Sequence, residues 1–144
     1  FYPNPGGGCK LTDPAFGKRV KDLLEHHKKA DKRDFVLLNV GRHFRLNNHV
    51  KVIVGRNEQD NDKLLSLSET KDILLTIEDI PGPTVLLPNG ADTDAINIAA
   101  SICVRYSDAR TSKPVRVSVF QDNQGIKTVE AVSFSKEELK DLMI

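Results

Sequence analysis

The chain has 144 residues, of which 39% are hydrophobic and 28% charged, a composition that suits one globular domain, or one with an added helix, and excludes a disordered polymer. Its 21 basic and 20 acidic residues leave a formal net charge of +1, so no overall field argues for nucleic acid. No apolar run approaches the roughly 18 residues that a bilayer span requires, and the longest, residues 50–54, is interrupted by Lys51.

The chain opens on Phe1-Tyr2-Pro3-Asn4-Pro5, without an initiator Met or a secretory pattern. It reads as a cut inside a longer protein, with an upstream domain expected before it. Residues 1–12 are loop-like, with Gly6-Gly7-Gly8 at their centre. Asp13 can cap a first helix, and Pro14 suits its first position, where a missing N–H costs nothing. Phe16, Val20, Leu23 and Leu24 then form an amphipathic stripe. The polar run 26–34 reads as a solvated linker. Strands are expected at 35–40, 43–46 and 50–54, the last two joined by an Asn47-Asn48 turn, since Asn tolerates positive φ. Residues 57–66 read as a polar-faced helix, and 72–77 and 84–87 as strands. Between those strands, Pro81-Gly82 fits the centre of a type II turn.

The strongest helix is expected at 93–106. Ala95, Ile98, Ala99, Ile102, Cys103 and Tyr106 recur at helical spacing and give a wide buried face. Val115, Val117 and Val119 alternate with Arg116 and Ser118, as in a half-buried strand. Residues 126–134 would pair with it, and Ser135 with Glu138 forms a capping-box pattern for a last helix. Hairpins and helices without steady alternation indicate an α+β fold: a mixed, mostly antiparallel sheet against two or three helices.

Three stretches carry chemistry-bearing residues. The first is Cys9 in its glycine-rich loop. The stretch reads first as a flexible linker, and beside Lys10 a thiolate is favoured, which suits a sulfur carrier, although no matched base is identifiable. Its spacing is wrong for a phosphate-cradling loop. The second is a pair of basic clusters, Arg42, Arg45, Lys51 and Arg56 with His43 and His49, and Arg105, Arg110, Lys113 and Arg116. They can form a basic face that tracks phosphates, with Phe44 stacking a base. The alternative is a set of solvated charges with Phe44 in the core. The third is Asp79-Ile80-Pro81-Gly82-Pro83-Thr84, a contact loop or a simple reversal. The four histidines show no metal-ligand spacing, and two cysteines in unlike settings suggest a reducing, cytoplasmic environment.

Val54-Gly55-Arg56-Asn57 with Asn61, Asp79-Ile80-Pro81-Gly82, Ala99-Ala100, Tyr106-Ser107-Asp108-Ala109-Arg110-Thr111-Ser112 and Val115-Arg116-Val117 follow one another in an order and spacing that resembles the NFACT-R RNA-binding domain, over residues 50–120. The segments Pro5-Gly6-Gly7-Gly8-Cys9-Lys10-Leu11-Thr12-Asp13 and Gly41-Arg42-His43-Phe44-Arg45-Leu46 are similar to the variant fused behind PP-loop ATPases of the tRNA thiouridine synthase type. The resemblance implies tRNA as partner, with RNA contacts at Arg42, His43, Phe44, Arg45, Lys51, Arg56, Asn57, Arg110 and Lys113. It implies a possible sulfur-carrying role for Cys9. It places ATP in an upstream PP-loop domain and no cofactor in this fragment, because the PP-loop signature is absent here. The chain departs from quality-control members of the family at Leu74-Leu75-Thr76 and Pro83-Thr84.

The organisation expected is therefore a junction loop and helix at 1–33 and an RNA-binding domain at 34–144. The function expected is that of a C-terminal tRNA-binding part of a sulfur-transfer enzyme, itself not catalytic. The alternative is a structural or protein-interaction domain that completes the upstream enzyme or mediates dimerisation.

Overall fold

The computed structural model describes residues 14–26, 32–46, 50–78, 80–107, 114–122 and 124–144. Their elements run, in order, α1 (Pro14–His26), α2 (Lys32–Leu37), β1 (Arg42–Arg45), β2 (Lys51–Val54), α3 (Glu58–Leu67), β3 (Ile73–Ile77), β4 (Val85–Leu87), α4 (Thr93–Arg105), β5 (Val115–Gln121), β6 (Gln124–Ala131) and α5 (Lys136–Leu142). The strands form one six-stranded sheet in the order β1-β2-β4-β3-β5-β6. Every pairing in it is antiparallel. The α+β expectation is met, with all-antiparallel pairing rather than a mixed sheet and with five helices among the described residues.

Strand composition explains the layering. Val52-Ile53-Val54, Ile73-Leu74-Leu75 and Val85-Leu86-Leu87 are continuous apolar runs, and all nine side chains are buried. A strand presents alternate residues to opposite faces, so such runs need cover on both sides. One face joins Val52, Val54, Ile73, Leu75, Val85 and Leu87 to α4, through Ala99, Ile102 and Cys103, and to Leu139 of α5. The other joins Ile53, Leu74 and Leu86 to Leu37 of α2 and Leu64 of α3. In β5 Val115, Val117 and Val119 are buried on the α4 side while Arg116 is exposed, and on the opposite face only Phe120 packs, partly buried, against the second cluster.

Capping residues set the helix starts, at Ser135 as the sequence indicates and at Asn57 and Asp92 as well. The side chains of Asn57, Asp92 and Ser135 accept from the backbone N–H of Asp60, Ala95 and Glu138 respectively. The expected strand at 35–40 is instead the end of α2 and a tightened turn. Leu38 N, Asn39 N and Val40 N donate to the carbonyls of Phe35, Val36 and Leu37 at 3.2, 3.2 and 2.9 Å. Packing has overridden the strand preference of Phe35 and Val36, which stay 40% exposed while Leu37 and Leu38 are buried. Helix α2 also spans positions 33 and 34, where the boundary between junction and domain was expected.

Ion pairs tie the outer helices down. Arg33 of α2 donates to Asp72 at 2.5 Å and to the Leu67 carbonyl at 3.2 Å. The buried Asp72 carboxylate also accepts from Glu69 N and Asn89 N, both at 2.8 Å, so one side chain joins α2, the α3–β3 connection and the turn after β4. Asp22 of α1 receives Nε of Arg45 at 3.1 and 3.2 Å, and Nη2 as well. The outer edge of β1 is closed by the chain's last residues: Met143 bridges Phe44, and Ile144 N donates to the His43 carbonyl at 3.0 Å. The expected Asn47-Asn48 turn lies outside the described residues.

Candidate nucleic-acid interface

Antiparallel pairing brings the start of β1, the end of β2, the start of β4 and the end of β3 to one end of the sheet. Arg42 faces Val54, Val54 faces Val85, and Leu75 faces Val85. A cleft of about 400 Å³ opens there, lined by Arg42, by residues 55–58 and Asn61, by Pro81-Gly82-Pro83 and by Tyr106. It thus joins the β2–α3 connection, the β3–β4 loop and the end of α4.

Close contacts fix its walls. The side-chain oxygen of Asn61 accepts from Thr84 N at 3.0 Å, and Gly55 N donates to the Thr84 carbonyl at 2.9 Å. A Cβ on Gly55 would lie 2.0 Å from Asn61 Oδ1, so this glycine exists for close approach. Gly82 has a related role. Its φ is not positive, which excludes the expected type II turn at Pro81-Gly82. A Cβ there would come 3.0 Å from Ser107 Cβ and 3.2 Å from Ile77 Cδ1, so Gly82 lets the loop lie against the end of α4. The buried Cys103 thiol approaches the Pro83 carbonyl at 3.5 Å, and burial pushes its pKa up to about 12.

A three-layer stack forms one wall. Fully buried Phe44 lies with its ring centroid 6.1 Å from that of Tyr106 at a 42° tilt, and the Arg42 guanidinium sits 4.6 Å above the Tyr106 centroid. That distance is within cation–π range. Arg42 has no acidic partner among the described residues. Arg56, by contrast, donates through Nε to Asp60 at 2.8 Å and through its backbone N–H at 3.1 Å. Burial alone would raise the Asp60 carboxyl, but these two donors and the Gly41 backbone N–H outweigh it and hold the group below its ordinary value.

The predicted site residues separate into distinct environments. Strand alternation splits the expected basic face, because Arg42 turns toward Tyr106 while Arg45 and Lys51 turn to the opposite side of the sheet. There Arg45 is committed to Asp22, and Lys51 is 8% exposed, its pKa lowered by burial to about 8. His43 is fully buried. Its Nε2 lies 3.0 Å from the carbonyls of both Leu37 and Val40, which identifies the neutral tautomer that donates from Nε2 to the end of α2. Burial, with Lys51 and Arg19 nearby, pushes its pKa well below the usual histidine value. Phe44 does not stack a base, because it is in the core beneath Tyr106. Arg42, Arg56 and Asn57 do line the cleft. Cys9, Arg110 and Lys113 lie outside the described residues. Tyr106, Glu58, Asn61 and Pro83 were not assigned to the site from sequence. Tyr106 and Asn61 fall in the matched motifs and Glu58 and Pro83 directly beside them, and only the fold reveals that they converge.

Comparison with known proteins supplies the class. The model of the NFACT protein RNA binding domain matches residues 41–143, and the chain belongs to that family. The fold is also similar to a solved structure described as the C-terminal of the fibronectin/fibrinogen-binding protein from Streptococcus suis, with a TM-score of 0.62 at 20% identity. That similarity covers 87% of this chain, which spans 58% of the length of the other. No curated protein matches the sequence.

Proposed function

We propose that this chain binds tRNA at the cleft between the start of α3, the β3–β4 loop and the end of α4, as the RNA-holding part of a tRNA sulfur-transfer enzyme of the thiouridine synthase type. The observation that carries the RNA contact is the Arg42–Tyr106 stack facing Arg56 and Asn57 across a cleft, in a chain whose family is named for RNA binding. The attachment to a PP-loop enzyme rests on the junction sequence around Cys9. In this reading ATP is used upstream, and Cys9 hands on sulfur.

Two measurements test the two halves separately. An unmodified tRNA transcript titrated with the chain is expected to bind with a log–log salt slope of a little under one for each phosphate neutralised. No binding at low salt sinks the RNA half. In the full-length protein, Cys9→Ser is expected to abolish tRNA thiolation while leaving tRNA affinity intact. Undiminished thiolation removes Cys9 from the chemistry.

A further inference from the structure

The cleft is poorly suited to a duplex backbone. A protein that follows a duplex spreads lysines and arginines along the phosphates. Here the lining holds two cations and one acid, and Arg56 is already paired with Asp60 at 2.8 Å. Glu58 stands exposed in the same lining, where it would repel a phosphate. At about 400 Å³ the space sits at the small end of ligand pockets, which run from about 300 to 1,000 Å³. It has room for one nucleotide and not for a helical segment.

The lining does fit the features by which proteins read an unpaired base, namely a flat stacking surface and a polar edge. Arg42 supplies the surface. Its guanidinium carbon sits 4.6 Å over the Tyr106 ring, which is supported in turn by the buried Phe44, and the half-buried side chain lines the cleft, where a second flat group can stack on it. Glu58 and Asn61 supply the edge, since residues three apart share one side of a helix. The Asn61 amide orientation is fixed, because its oxygen accepts from Thr84 N at 3.0 Å. Its NH2 group is what remains to donate, beside a Glu58 carboxylate that only accepts.

We propose that the cleft receives one unpaired guanosine of the RNA, with its base on the Arg42 guanidinium and its pairing edge against Glu58 and Asn61. Guanine alone presents two adjacent N–H groups, N1–H and N2–H, to a carboxylate while offering O6 to an amide N–H. Uracil has one N–H between two carbonyls. Adenine and cytosine would aim a ring-nitrogen lone pair at the carboxylate. This rests on the RNA-binding reading above and adds which feature of the RNA is held.

The test uses the whole chain and three RNA hairpins that share one stem: blunt, with a single 3′ guanosine overhang, and with a single 3′ uridine overhang. The guanosine overhang is expected to bind about tenfold tighter than the other two, in line with the discrimination of one bidentate base contact. Exposed Glu58→Gln is expected to erase the guanosine-over-uridine preference with an unchanged melting temperature. Equal affinity for all three hairpins overturns this inference and leaves RNA binding standing. Failure to bind any of them overturns both. A preference that survives Glu58→Gln also overturns the edge assignment.

Discussion

At the scale of single residues, the cleft is built from atoms with no room to spare. The side chain of Asn61 occupies the place where Gly55 would carry a Cβ, and the same side chain holds Thr84 N. Gly55→Ala must therefore displace Asn61 and leave a backbone N–H short of its acceptor. A destabilisation of about 1–3 kcal/mol is expected, measurable by urea unfolding, with RNA affinity reduced as well. An unchanged midpoint would mean that the Asn61 contact is not a constraint. Cys103 gives a second check. With its pKa pushed up to about 12 inside the core, its thiol should resist a thiol reagent at neutral pH and react only on unfolding. Made in a Cys9→Ser background, that measurement fails the account if labelling is as fast in the native protein as in denaturant.

At the scale of elements, Asp72 is the residue on which the helical cover of one sheet face depends. Its carboxylate holds Arg33, Glu69 N and Asn89 N together. Asp72→Ala would leave the Arg33 guanidinium, only 11% exposed, without its main partner. Removing one member of a buried pair costs about 3–5 kcal/mol. Thermal unfolding should show that loss, and a loss below about 1 kcal/mol would reduce the pair to a surface contact.

Elements with a local signature were legible in the sequence. The cap at Ser135, the apolar face of α4 apart from Ile98, which stays 36% exposed, and the alternation in β5 each announce themselves within a few residues. Helix α2 was not legible, because six residues are too few for a helical period and its anchor, Asp72, is 39 positions from Arg33. The basic face failed for a related reason. Arg42, Arg45 and Lys51 look like one cluster along the chain, but the pairing of β1 with β2 sends Arg42 to one side of the sheet and the other two to the opposite side. The cleft itself was half legible. Its motifs were readable one by one, while their meeting depends on the strand order β1-β2-β4-β3.

At the scale of the whole molecule, the buried His43 couples stability to pH. An unfolded histidine takes up its proton near pH 6.5, whereas the buried ring, with its pKa pushed well below that, takes it up only in stronger acid. Below pH 6.5 the unfolded state thus binds more protons, and stability falls as pH falls. The contribution of this one group is about 1.4 kcal/mol per pH unit for as long as the folded ring stays neutral. His43→Gln should flatten the stability profile between about pH 6.5 and 5 by up to that slope. An identical slope in wild type and variant would place the proton-linked group elsewhere.

The central claim is that RNA is held at the end of the sheet where Arg42, Arg56, Asn57 and Tyr106 meet. Its most direct test is the affinity of the chain for an unmodified tRNA transcript, compared between wild type, Arg42→Gln in the cleft and Lys127→Gln on β6 at the opposite edge of the sheet. Both variants lose one positive charge, so a purely general attraction would weaken them alike. The account predicts a loss of about tenfold for Arg42→Gln, in the range of one stacked or cation–π contact, and little change for Lys127→Gln. Equal affinities for the two variants would contradict it.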